Sequence, residues 1–426
     1  MVGLAARREG EADWPVGRTR AAVIFTLTFL LLLSDYVCRQ ALIPMFPALK
    51  AEWALSDGRL GALVSVVALA VGLLTAPLSF AADRFGRVRA IVVMALVWSA
   101  ATLACGLAAS YGQLLLARLC LGVGEAAYGS VGGAILFSVF PARVRGAVAA
   151  AFLAGGAVGS VLGLAAGGWM AETIGWRGAF VALGGLGLVL ASLFAAVVRL
   201  PAAPLETQDS ADASEGGLAS LWTLLTTRTL LLAYAGGGLQ FFTLAALIAW
   251  TPSLLTRTYG LEPARAGGVA ALLVLLSAVG MMVCGAVADG LSRRRPARRA
   301  LVAAGYCVVT GGLVALALGA PAGAAQLGLM ACAFALAGGA AGPASAVGAD
   351  VSRPAVHATA LALATLAFNL LGHAPGPWIT GLLADGHGLA TALRGSALAS
   401  LLASVALLAA YRAFDEDAAR LRRAGA

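Results

Sequence analysis

Long apolar runs separated by short polar breaks cover nearly the whole chain. Twelve of them could cross a membrane, which takes about 20 mostly apolar residues at 1.5 Å each. They lie at 21–49, 60–82, 90–109, 112–139, 147–170, 178–198, 229–254, 266–288, 300–320, 325–349, 358–384 and 395–411. Barrel strands would alternate in hydropathy over about 10 residues, and these runs do not. Gly and Ala recur inside them, a composition that lets membrane helices pack closely. The pattern predicts an all-α integral membrane protein with twelve transmembrane helices.

The longest polar stretch, 201–227, carries Glu206, Asp209, Asp212 and Glu215 and reads as a linker. It separates residues 21–200 from 228–413, two bundles of six helices, with tails at 1–20 and 414–426. The bundles are related. A shift of 206 residues places Leu55, Arg59 and Gly61 on Leu261, Arg265 and Gly267, and Asp83, Arg87 and Arg89 on Asp289, Arg293 and Arg295. Charged residues are rare in this chain, so such coincidences point to a pseudo-symmetric pair.

Charge adds orientation. An even helix count puts both termini on one side. Twenty-one of the 29 basic residues fall on that side and six on the other, with Arg39 and Arg118 inside helices. The positive-inside rule then places both termini in the cytoplasm of a multi-pass, bacterial-type inner membrane protein. Residues 1–20 are polar and Arg-bearing, and the first apolar run is too long for a signal peptide.

Composition excludes more than it identifies. The chain has 426 residues, 61% apolar and 12% charged, with mean hydropathy +0.91. So few charges cannot coat a water-exposed surface, which sets aside an ordinary soluble enzyme, a disordered chain and a nucleic-acid-binding module. The six Cys lie in apolar runs without CxxC spacing and read as packing residues, not metal ligands. No HExxH or GxSxG motif is present, and the three His are scattered, so nothing suggests an enzyme.

Candidate chemistry rests on charges at bilayer depth, each costing about 2.5–3.5 kcal/mol on insertion scales. In the fourth run, Arg118 and Glu125 are two turns apart on one face. They are either a proton or substrate site or a fixed ion pair. In the first run, Asp35 and Arg39 stand at i,i+4, with Tyr36 and Gln40 beside them. They either neutralise each other or add a second acid to a cavity, with Arg39 binding an anion or pairing with Glu125. Gln240, Asn369 and His373 are the polar residues of the second half that would line such a cavity, the last two just before Pro375-Gly376-Pro377. Trp250 and Trp378 read as membrane-interface markers.

The loop after the second run reads Asp83-Arg84-Phe85-Gly86-Arg87. Its counterpart holds Gly285, Asp289 and Arg293. These resemble the loop signature of the major facilitator superfamily, with Ser79 where that signature has Gly. An acid at a helix end paired with Arg across the two halves could favour one access state and release in the other. Arg118 with Gly122-Val-Gly-Glu-Ala126, Pro141-Ala-Arg-Val-Arg-Gly146 and Gly175-Trp-Arg-Gly-Ala-Phe180 is similar to the spinster-like branch, most strongly over residues 30–200. That branch has an acid directly before the helix-one Arg. Here Cys38 stands there, and Asp35 lies one turn earlier.

The resemblance implies a major facilitator fold and a monomeric secondary transporter working by alternating access. Its partners would be membrane lipid and an amphipathic or anionic small molecule, with no nucleic acid. It would have no cofactor and would use the proton gradient. Export is slightly favoured by the helix-five run Gly155–Ser160; uptake of small carboxylates is the alternative. The residues expected to couple protons to substrate are Asp35, Arg39, Arg118 and Glu125. The expected conformational switch is Asp83, Arg84, Gly86, Arg87, Gly285, Asp289 and Arg293.

Overall fold

A computed structural model describes residues 14–199, 222–353 and 356–424. The described residues form helices and short turns, with no strand. The first bundle comprises α1 (Arg18–Ala41), α2 (Asp57–Phe85), α3 (Arg87–Gly106), α4 (Tyr111–Glu125, then Tyr128–Val139), α5 (Ala142–Thr173) and α6 (Gly175–Val197). The second comprises α7 (Arg228–Tyr259), α8 (Pro263–Ser292), α9 (Arg298–Ala317), α10 (Ala324–Ala337, then Ala341–Asp350), α11 (His357–Phe368, then Pro375–His387) and α12 (Leu389–Ala424). Eleven of these are long and apolar enough to span a bilayer. The twelfth, α11, is divided by a π turn over Asn369–His373. The linker expected at 201–227 lies mostly outside the described residues.

Several runs that read as single helices are broken. Pro44 lacks an N–H, and α1 tightens into a 3₁₀ turn at Ile43–Met45 before a last segment, Phe46–Trp53. In α4 the break follows Glu125, and the Thr75 hydroxyl sits 2.6 Å from the Ala126 carbonyl at the break. The break in α10 follows Ala337, whose carbonyl accepts from Gln240 Nε2 at 3.1 Å. Interrupted membrane helices persist only where side chains satisfy such carbonyls. In α11, Ala374 N–H bonds five residues back to Asn369 O, and this wider turn accommodates Pro375. The last helix runs well past the expected end at 411. No Gly or Pro stops it before Ala424, and its buried Asp417 accepts from Thr229 N and Oγ1 at 2.8 Å each, tying it to the start of α7.

The core shows how the bundles meet. At the face remote from the termini, one apolar cluster runs across both halves, from Ile43, Phe46 and Leu60 to Leu247, Trp250 and Leu254. Toward the termini, the clusters are separate. One lies within the first bundle around Trp98 and Tyr128, and two within the second around Tyr234 and Leu407. The halves are therefore joined at the remote face and part toward the termini.

Candidate functional site

Glu125 is the last residue before the α4 break, and its side chain is almost fully buried. Its Oε1 lies 3.3 Å from Arg39 Nη1 on α1. Asp35, one turn before Arg39, is buried within electrostatic range of Glu125. Of the two arrangements open to Arg39, the structure has the cross-helix pair with Glu125. Both Glu125 oxygens and Asp35 Oδ1 are buried without a hydrogen-bond donor among the described residues. Buried carboxylates normally spend their lone pairs on donors. These oxygens have acceptor capacity left for a proton or a ligand.

Arg118 plays another part here. It is 0% exposed and donates from Nε to Leu63 O at 3.1 Å and from Nη2 to Arg39 O at 3.3 Å. It ties α4 to the backbones of α2 and α1, makes no ion pair with Glu125 among the described residues, and sets a positive charge behind the acids. Tyr36 and Gln40 pack against α5, whose Gly156 and Gly163 leave room for them.

The second bundle faces this cluster with few charges. His373, in the π turn of α11, packs against Phe241 with the rings tilted by 41° and 4.7 Å between centroids, and lies within electrostatic range of Arg39. Asn369 donates to Thr365 O at 3.0 Å and is pressed against Gly72 of α2. Gln240 is spent on the α10 break, with Oε1 unpartnered. Trp250 is no interface marker. It is fully buried between the bundles, 5.3 Å from the Phe46 ring, and donates to Pro377 O at 2.9 Å. It needs a non-aqueous pocket with one acceptor, and the meeting of α7 with α11 supplies both.

The switch residues pair within their own bundles. Arg87 Nε donates to Asp83 Oδ1 at 2.7 Å, and both are about half exposed. Gly86, at φ 101°, makes the turn between α2 and α3. Asp289 lies 3.3 Å from Arg299, which also holds Asp350 at 2.6 Å. Arg84 and Arg293 are exposed, and Gly285 meets no neighbour. Among the described residues, no ion pair crosses between bundles at this face.

The crossing contacts lie at the opposite face, and sequence reasoning missed them. Arg257 at the end of α7 grips Asp57 at the start of α2 through two bonds of 2.6 and 2.7 Å, and Lys50 joins at 2.5 Å. Asp57 N and Gly58 N donate to the Asp385 carboxylate of α11 at 2.6 and 2.9 Å. The pseudo-symmetric contact is Ala264 N of α8 donating to Glu172 of α5 at 2.7 Å. Each bundle thus sets a carboxylate on the positive end of the other's helix. Beneath these contacts, Gly61 and Gly267, matched by the 206-residue shift, let the helices cross. A Cβ on either would sit 2.4 Å from a carbonyl oxygen of the facing helix. The only sequence signal was the repeat itself, because the partners stand 92 to 328 residues apart.

The family model for the Major Facilitator Superfamily matches residues 27–377. The chain belongs to the major facilitator superfamily. It is 30% identical over 342 residues to an MFS-type efflux pump of Mycolicibacterium smegmatis, covering 77% of this chain and 76% of that protein. It is 28% identical over 339 residues to a gallate transporter of Pseudomonas putida, covering 71% and 74%. Among solved structures, it resembles a bacterial homologue of the human lysosomal transporter spinster in an inward-facing, unoccupied conformation. The TM-score is 0.82 at 20% identity, over 94% of this chain and 99% of that one. The spinster-like resemblance read from α4 and its following loops agrees with that fold. This major facilitator protein is a multi-pass membrane transporter with twelve helices in two bundles.

Proposed function

We propose that this transporter moves a small organic anion by alternating access, coupled to protons through Glu125 and Asp35. The observation that carries this reading is the cluster at the α4 break: two buried carboxyls within electrostatic range of each other, Arg39 3.3 Å from Glu125, and acceptor oxygens left without donors. Two neighbouring carboxylates repel, so such a pair favours holding one proton. When it does, Arg39 is released to bind a substrate anion. When the proton leaves, the ionised pair reclaims Arg39 and expels the anion. Such a cycle carries the proton and the anion together, so for a monovalent anion no net charge crosses and the proton concentration gradient drives it.

Under the positive-inside rule, the basic residues on the termini side support a cytoplasmic placement of that side, which makes this an inward-facing state in a bacterial-type inner membrane. The protein works as a monomer, without a cofactor, on the proton gradient. Export of amphipathic anions, the direction the efflux-pump relative supports, would need the proton and the anion to bind in turn instead of together. The gallate relative favours the second reading, uptake of small carboxylates.

In proteoliposomes, a transported anion should move protons in step with substrate. Glu125→Gln should retain binding and exchange but lose proton-driven accumulation. Normal accumulation by this variant overturns the coupling role. Right-side-out and inverted vesicles, compared with gallate as probe, separate uptake from export.

A further inference from the structure

Where α7 begins beside α12, at the face that carries the termini, the two helices enclose a groove of about 470 Å³. Asp417 holds this corner in register through its bonds to Thr229. On α12 the groove is lined from Val405 outward, and the residues that lead into it and line it change character in order. Leu398, Leu402 and Val405 follow one another at +4 and +3, the spacing of a single helix face, and each is 59–65% exposed. The same face continues through Ala409 to Arg412 and then Glu416. Opposite Arg412, the groove is bounded by Arg228, with Leu232 one turn deeper. Arg228, Arg412 and Glu416 are exposed, and none makes an ion pair or hydrogen bond with a described residue.

We infer that this groove binds a phospholipid whose headgroup carries a phosphate and a primary ammonium. The order along the helix is the order of such a lipid. Exposed apolar side chains lie deepest and meet an acyl chain. Two arginines at one level meet the phosphate, the pairing guanidinium makes best. One carboxylate, about 6 Å further out along the axis, meets the ammonium. A purely anionic headgroup would leave Glu416 facing a like charge. A quaternary ammonium would offer it no N–H.

Native mass spectrometry of the full-length protein, delipidated and offered equal phosphatidylethanolamine, phosphatidylglycerol and phosphatidylcholine, tests this. Wild type should retain phosphatidylethanolamine most. Arg228→Gln with Arg412→Gln should weaken that retention about 25-fold, from roughly fivefold per arginine near a bilayer surface. Glu416→Gln should keep lipid bound but lose the preference for phosphatidylethanolamine over phosphatidylglycerol. All three side chains are exposed, so the variants should fold, and an unchanged unfolding temperature without lipid confirms it. Equal retention of the three lipids by wild type overturns the proposal. So does undiminished retention by the double arginine variant, or equal thermal stabilisation by glycerophosphoethanolamine, which lacks acyl chains.

Discussion

At the scale of single residues, the charges buried in the first bundle divide their work by geometry. Glu125 and Asp35 keep free acceptor oxygens, whereas Arg118 gives Nε and Nη2 to the backbones of two neighbouring helices and keeps only Nη1 unpartnered. This predicts an outcome that separates charge from hydrogen bonding. Arg118→Lys keeps the charge but replaces a planar fork with a point donor. It should lower stability by about 1.5–3 kcal/mol, nearly as much as Arg118→Gln, because a hydrogen bond to a charged donor is lost in each. Thermal unfolding in detergent reads this directly, and a fully stable Arg118→Lys protein would show that charge alone matters at this position. The sequence announced these residues through their rarity in apolar runs. It could not say which faced a partner and which was consumed by carbonyls, since Leu63 and Arg118 are 55 residues apart.

At the scale of helices, breaks and crossings control what can move. The interruptions in α4 and α10 stand at equivalent places in the two bundles, and each is satisfied from a neighbouring helix. The remote-face contacts of Asp57, Arg257 and Asp385 join the two bundles, while the ion pairs of Asp83, Asp289 and Asp350 at the other face stay within one bundle. Asp57→Asn and Asp385→Asn should each shift the population toward opening at that face. Spin labels on the α1–α2 and α11–α12 turns should then report longer distances, and unchanged distances would remove the gate from these residues. Gly61→Val should go further. Its side chain would meet the Pro377 carbonyl, so the remote face could not close and transport should stop while the protein stays folded. Helix positions were legible from hydropathy. The break after Glu125 was not, because no Gly or Pro stands at Ala126-Ala127 and a tertiary hydrogen bond makes it affordable, whereas the break after Ala337 left a signal in Gly338-Gly339 and Pro343.

At the scale of the whole molecule, twelve helices in two related bundles surround a charged centre, and the basic side is predicted to be cytoplasmic. A cysteine placed at Ser210 should react with a membrane-impermeant maleimide only after the cells are opened; labelling of intact cells would reverse the orientation. Much of this architecture is written in one dimension. Hydrophobic length sets where helices span, arginine bias sets their direction, and the repeated Gly61 and Gly267 mark the halves as kin, all local properties that lipid and water read residue by residue. Tertiary structure alone decided that Arg39 turns to Glu125, that Trp250 is buried between bundles, and that the polar contacts joining the remote face are built from Asp57, Arg257, Asp385 and Glu172. Each of those depends on which distant side chain arrives with a complementary charge or hydrogen-bonding group, and that is fixed only when the helices have packed.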